Sequence, residues 1–199
     1  MKVTALGVAC IMKVSEVAMR RKRFDGAQCP IARALERVGE WWSILILREA
    51  MLGVTRFDDF QKSLGIAPNI LTVRLNKLVE SGLLERRAYS ERPTRCEYRL
   101  TPTGEDFRPV LWSLLAWGSR HFAPEGQSLV IVDVDSGAWA DPILVDRASG
   151  KRMAPPEFRT AAGPAASAAM RARHRLASAY SGAPLELAGA PHETSGDRP

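Results

Sequence analysis

The chain has 199 residues, 46% of them hydrophobic, enough for one domain with a real core plus an appendage. Its net charge of +6 is unevenly placed: residues 1–127 hold 20 Lys+Arg against 14 Asp+Glu, whereas residues 128–199 hold eight of each. A basic front part with a neutral tail suits a polyanionic partner better than an acidic small substrate. Three cysteines, Cys10, Cys29 and Cys96, with no CxxC and no His at ligand spacing, argue against a disulfide framework and a structural zinc site. No apolar run approaches the roughly 18 residues of a membrane span, so a reduced, cytoplasmic setting is expected. The opening MKVTALGVACIMK has only a short apolar run, followed at once by Lys13 and Glu16, and no A-x-A site. It is not read as an export signal.

Residues 1–23 form an N-terminal extension, weakly amphipathic, in which Met12 and Met19 are also in frame as starts. The domain text begins at Met19 with the basic run Arg20–Arg23, so residues 1–18 are a helical extension or an unused upstream start. The basic run is a phosphate-touching arm or simply a solvated tail. Cys29-Pro30 opens the first helix, with proline in the first turn and Ile31, Ala34, Leu35 and Val38 on one face; Gly39 ends it. Trp41 to Leu52 then make a second helix that ends at Gly53. Being apolar on most sides, it is expected at the centre of the core, with the Trp41–Trp42 pair serving packing and not a cofactor.

Residues 56–100 carry the functional signal. RFDDFQKSL places Phe57, Phe60 and Leu64 at helical spacing, Gly65 stops that helix, and Pro68 stands at the first position of the next. There Leu71, Leu75, Leu78 and Gly82 face inward. The opposite face carries Asn69, Val73, Asn76, Lys77 and Glu80, with Thr72 and Arg74 on its flanks. A helix–turn–helix puts its second helix in the major groove, where an amide reads adenine and a methyl touches thymine. Asn69 and Val73 suit those roles. The period then changes: residues 84–89 and 95–100 read as two strands joined by the turn Ser90–Pro93, bearing Arg86, Arg87, Arg92, Arg95 and Arg99 against Glu85, Glu91 and Glu97. Such a ribbon is either an ordinary hairpin with a charged face or a wing lying along the phosphates. Coming directly after a recognition-type helix, it is read as a wing.

Thr101-Pro102 starts a further long helix, with Thr101 as cap and Glu105 and Asp106 at the positive end of its dipole. Its apolar positions, including Leu111, Leu114, Leu115 and Trp117, outnumber what one small domain covers, which points to a partner helix. From residue 126 to 160 the text alternates as a small β-meander. Strands are expected at 129–134 and 143–147 with a return near Arg152, and turns at 135–138 and 149–150. Asp133, Asp135, Asp141 and Asp146 lack calcium-loop spacing and are read as turn and edge aspartates, so no metal is expected. Residues 161–199 are an Ala/Pro-rich tail, with a marginal helix over 164–180 and disorder after it.

The matching text Cys29-Pro30, VGEWW, ILILREAMLG, RFDDFQKSLGI, LTVRLNKLVESGLLERR, Tyr89, Pro93, EYRLTPTG and Trp117 resembles the HxlR-type winged-helix transcription regulators, relatives of the MarR group. It covers residues 24–122 in one register, within a winged-helix domain read as residues 24–125. Trp41 and Ala67 depart from the family pattern, Ala67 standing where a serine-like helix cap is common. The resemblance implies a homodimer in which this helix, with Leu111, Leu114, Leu115 and Trp117, and the N-terminal helix pack across a two-fold, and two recognition helices about 34 Å apart on a double-stranded operator. The expected fold is thus mainly α with small β, and the expected function a sequence-specific dimeric regulator, most simply a repressor. Pro68, Asn69, Thr72, Val73, Arg74, Lys77, Arg86, Arg87, Tyr89, Arg92 and Arg95 are its expected DNA contacts. Cys29, before a helix N-terminus and after a basic run, is a candidate redox sensor or a small buried apolar residue, so an oxidant or small molecule is the expected effector. The competing reading is a winged helix used only for protein docking. No nucleophile elbow, phosphate loop or HExxH supports an enzyme, and no cofactor is expected.

Overall fold

Leu71, Leu75 and Leu78 turn to one side of a single helix, and all three are fully buried. In the computed structural model, which describes residues 24, 26–91 and 94–181, that helix is α4 (Pro68–Glu80). It closes over α2 (Trp41–Met51) and α3 (Phe57–Leu64), where Ile46, Leu47 and Phe60 are equally buried. Leu84 and Tyr98 seal the floor from the antiparallel pair β1 (Leu84–Glu91) and β2 (Thr94–Leu100). At about 1.5–3 kcal/mol for each fully buried apolar side chain, this cluster is the main source of stability. The strands run further toward the tip than the alternation alone implied.

Helix α1 (Pro30–Val38) starts as expected at Pro30, yet its apolar face is only partly covered by the described residues: Val38 is buried, while Ile31 and Leu35 are exposed. Gly39 follows it because a side chain there would strike the Leu35 carbonyl oxygen, only 2.2 Å from where a Cβ would sit. In α2 the even apolar distribution hides a sidedness. Trp41 is 63% exposed and stacks on the half-buried Trp42 with ring centroids 4.3 Å apart, so only one of the pair packs on the core. Ser43 and Glu49 are buried in its place, and Arg48 donates to Glu49 Oε1 through Nε and Nη2 at 2.9 and 2.6 Å.

The long helix expected after Thr101 is two helices, α5 (Pro102–Glu105) and α6 (Arg108–Phe122). Pro109 accounts for the break, since it has no N–H to give and its ring clashes with the carbonyl four residues earlier. Thr101 caps α5 as expected, accepting from Gly104 N at 3.1 Å. Its hydroxyl also donates to the Gly82 carbonyl at 2.6 Å.

The meander is smaller than the alternation suggested. β3 (Ile131–Val132) pairs with β4 (Trp139–Ala140), and the return strand contracts to one bridge between Val145 and Arg152. Two tight turns organise it. Ser136 N and Oγ donate to Asp133 Oδ1 at 2.8 and 2.7 Å, and Ser149 N and Oγ donate to Asp146 Oδ2 at 2.9 and 2.5 Å. The last described element is α7 (Ala168–Ser181), begun by Ser167, whose oxygen accepts from Met170 N and whose amide donates to Gln28. The expected disorder after residue 181 lies outside the described residues, as do the expectations for residues 1–23.

Candidate nucleic-acid interface

Three residues, Gly65 to Ala67, turn α3 into α4. Gly65 takes the left-handed conformation (φ 59°) that ends a helix most cheaply when there is no side chain. Ala67 has the extended conformation of an N-cap but no side-chain oxygen to accept from the free amides of α4. Pro68 follows at the first helical position, where its lack of an N–H costs nothing.

With its leucines committed inward, α4 presents Asn69, Thr72, Val73 and Asn76 to solvent in one stripe, Val73 at 58% exposure. Val73 is the apolar residue at the centre of this otherwise polar stripe. Thr72 Oγ1 donates back to the Pro68 carbonyl at 2.8 Å, so its hydroxyl is committed to the helix backbone. The exposed Ile70 borders the stripe.

The two cations expected beside this stripe are held differently. Arg74 Nη2 lies 3.2 Å from Glu40 and Lys77 Nζ lies 3.9 Å from Glu36, so both side chains fold back toward α1 and the start of α2. They are not presented to solvent as open charges.

In the wing, Leu84, Arg86, Ala88, Cys96, Tyr98 and Leu100 share one face, and Glu85, Arg87, Glu97 and Arg99 the other. Arg87 pairs with Glu85 at 2.5 Å and Arg99 with Glu97 at 2.8 Å, so this second face is internally neutralised. Glu97 holds the Arg99 pKa above its ordinary value by hydrogen bonding and by its charge. Arg86 and Arg95 are exposed and have no carboxylate partner among the described residues. Arg92 lies outside the described residues. Tyr89 is the extra residue of a bulge between Ala88 and Ser90, and the Arg56 guanidinium sits 5.0 Å from its ring centroid. The wing is also wider than a hairpin at its base: Tyr98 N donates to the Thr55 carbonyl at 2.7 Å and Arg56 bridges to Glu97. Sequence reasoning missed Arg56, because nothing local marks a single residue as a third strand.

On α6, Leu111 packs on the core and Leu115 is half-buried, while Val110, Leu114 and Trp117 form an exposed apolar row with spacing i, i+4, i+7. Trp117 is braced edge-on by Phe122 at 4.9 Å. Between α2, α6 and residues 128–132 lies a cleft of about 490 Å³ with a mainly apolar lining that includes Leu45, Leu111, Trp112 and Ile131. Cys29 sits half-buried at the N-cap position of α1, with its sulfur capping no amide. No group of three His, Cys, Asp or Glu side chains suited to a metal occurs among the described residues. No described helix is long and apolar enough to cross a membrane.

A short helix, a three-residue turn, an exposed second helix and a two-stranded wing define a winged helix-turn-helix, the architecture of a DNA-binding transcription regulator. Residues 37–126 match the model of the HxlR-like helix-turn-helix family. An uncharacterised HTH-type transcriptional regulator of Mycobacterium tuberculosis is 43% identical over 135 residues, 67% of this chain and 82% of the relative. One from Synechocystis is 38% identical over 95 residues, 47% of this chain and 70% of the relative. Among solved structures, PA1374 of Pseudomonas aeruginosa, described as a candidate transcription factor, is 55% identical with a TM-score of 0.55, covering 73% of this chain and 99% of its own. PA1607, described likewise, is 40% identical with a TM-score of 0.64, covering 71% and 100%. The chain belongs to the HxlR-like helix-turn-helix family of DNA-binding transcriptional regulators.

Proposed function

We propose that the chain is a homodimeric, sequence-specific regulator that represses by occupying promoter DNA in the cytoplasm. The observation that carries this is the outward stripe Asn69–Thr72–Val73 on a helix whose opposite side is wholly committed to the core. In the major groove the Asn69 amide matches the paired donor and acceptor of adenine. Val73 and the Thr72 methyl match thymine. Arg86 and Arg95 supply contacts to phosphate, and Tyr89, propped by Arg56, sets the reach of the wing. The exposed row Val110–Leu114–Trp117 together with Ile31 and Leu35 supports pairing with a second copy, which gives two reading heads about one DNA turn apart.

Mobility shifts on the DNA upstream of the chain's own gene test the reading. Asn69→Ala is expected to lose about 1–3 kcal/mol of discrimination at one base pair. Arg95→Ala is expected to weaken all sequences alike and to lower the salt slope by about one. Binding unaffected by both changes defeats the assignment, and a wild-type chain that ignores DNA while retaining a protein partner favours the docking module instead. Cys29, half-buried beside the exposed face of α1, is the proposed point of oxidant response. Operator affinity that is the same before and after diamide removes that role.

A further inference from the structure

Arg74 and Lys77 are the cations of α4, and each is held by a carboxylate from outside the reading helix. Arg74 Nη2 is 3.2 Å from Glu40 Oε2, the side chains being 21% and 23% exposed, and the Arg74 Nε is buried with no hydrogen-bond partner. The guanidinium is therefore inserted between helices, not laid along the surface. Lys77 Nζ is 3.9 Å from Glu36 Oε1, with side chains 29% and 12% exposed. Glu36 is itself fixed from a second side, since Phe24 N donates to its other oxygen at 3.1 Å.

We propose that Glu36 and Glu40 are specificity-determining positioning residues that withhold Arg74 and Lys77 from DNA phosphates. This rests on the DNA-binding reading above and deepens it. The physical reason is a difference between two kinds of complex. On arbitrary DNA a protein is held by counterion release alone, and a long unrestrained cation finds a phosphate in any register. On the operator, base contacts fix the register, and a side chain gains only if a phosphate happens to lie where it can reach. Restraining two cations thus lowers binding to arbitrary sequence more than binding to the operator. Discrimination is then left to Asn69, Thr72 and Val73.

The test is the salt dependence of affinity for a non-operator duplex and for the upstream promoter fragment, measured with the full chain. In Glu36→Gln/Glu40→Gln, the log–log slope on non-operator DNA is expected to steepen by about 0.9 per released cation. Between 50 and 200 mM salt that enlarges the loss of non-operator affinity by about twelvefold, and the operator-to-non-operator ratio at the lower salt falls. Arg74→Gln is expected to leave the wild-type slope unchanged but to remove the gain in a Glu40→Gln background, and Lys77→Gln to do the same with Glu36→Gln. A purely structural role for the glutamates would lower Tm without moving the slope, and that outcome overturns the proposal. So does a wild-type slope that drops by about 0.9 in Arg74→Gln alone, a measurement that stands even if Glu36→Gln/Glu40→Gln fails to fold. Wild-type protein that binds neither duplex refutes the DNA-binding reading itself. Wild-type binding with an unmoved slope in the double variant refutes only this inference.

Discussion

From α1 to β2 every element contributes at least one buried residue, whereas none of residues 105–176 is buried. The two halves are held by different forces. The winged-helix half is made by burial: Phe60, Leu71, Leu75 and Leu78 interlock, and the outward residues of α4 are left free for another task. The C-terminal half is shaped mainly by backbone and turn hydrogen bonds, among them the Asp133–Ser136 and Asp146–Ser149 turns and the short β3–β4 pairing. It leaves large apolar side chains uncovered, Val134 at 94% and Trp139 at 72% exposure. Local hydrogen bonds, each worth about 0.5–1.5 kcal/mol net, set a conformation but leave apolar surface in water.

The sharpest break of this contrast is in the core. Phe60→Ala is expected to cost about 3–5 kcal/mol and to abolish DNA binding through unfolding, while Val134→Ala moves stability by less than about 0.5 kcal/mol. Thermal denaturation of both variants checks it. Next is the exposed row on α6: Leu114→Glu is expected to turn the proposed dimer into a monomer by sedimentation while leaving the folded core intact. Smaller again is Ala67→Ser, which supplies the missing cap on α4 and is expected to add about 1 kcal/mol.

The least effect concerns pH in the extension. Hydrogen bonds from the Ser136 and Ser149 side chains, and then from their amides, hold the Asp133 and Asp146 carboxyls below the ordinary carboxylate range. A pKa lowered by folding gives stability that is present above the unfolded value, about 3.9, and is lost as pH falls through the folded value. The two turns are therefore expected to loosen below about pH 4, and Asp133→Asn/Asp146→Asn to remove that dependence. Amide exchange at Ser136 and Ser149 is the measurement.

Periodicity and turn chemistry were enough to place α3, the turn, α4 and the wing, because each of those signals is local. The inward leucines of α4 and the Thr101 cap are where spacing puts them. What escaped was decided by distant parts of the chain. Arg74 and Lys77 look like open charges in the sequence, and their partners Glu36 and Glu40 stand more than 30 positions earlier. The third rung at Arg56 and the exposure of Trp41 depend on which neighbour arrives, which spacing does not encode. Pro109 is a local sign of the break before α6, and the repeat DxxSG at 133–137 and 146–150 marks the two turns and explains their aspartates without a metal.

Thr101 joins three parts of the molecule through its hydroxyl and its amide. It donates to Gly82 at the exit of α4, receives from Gly104 at the entry to α5, and its own amide donates to the Leu83 carbonyl at 3.2 Å. That junction behaves as a welded corner, and α6 beyond it is a lever of 15 residues, about 22 Å at 1.5 Å per residue. A tilt of only about 5° at the corner carries the far tip of such a lever through about 2 Å.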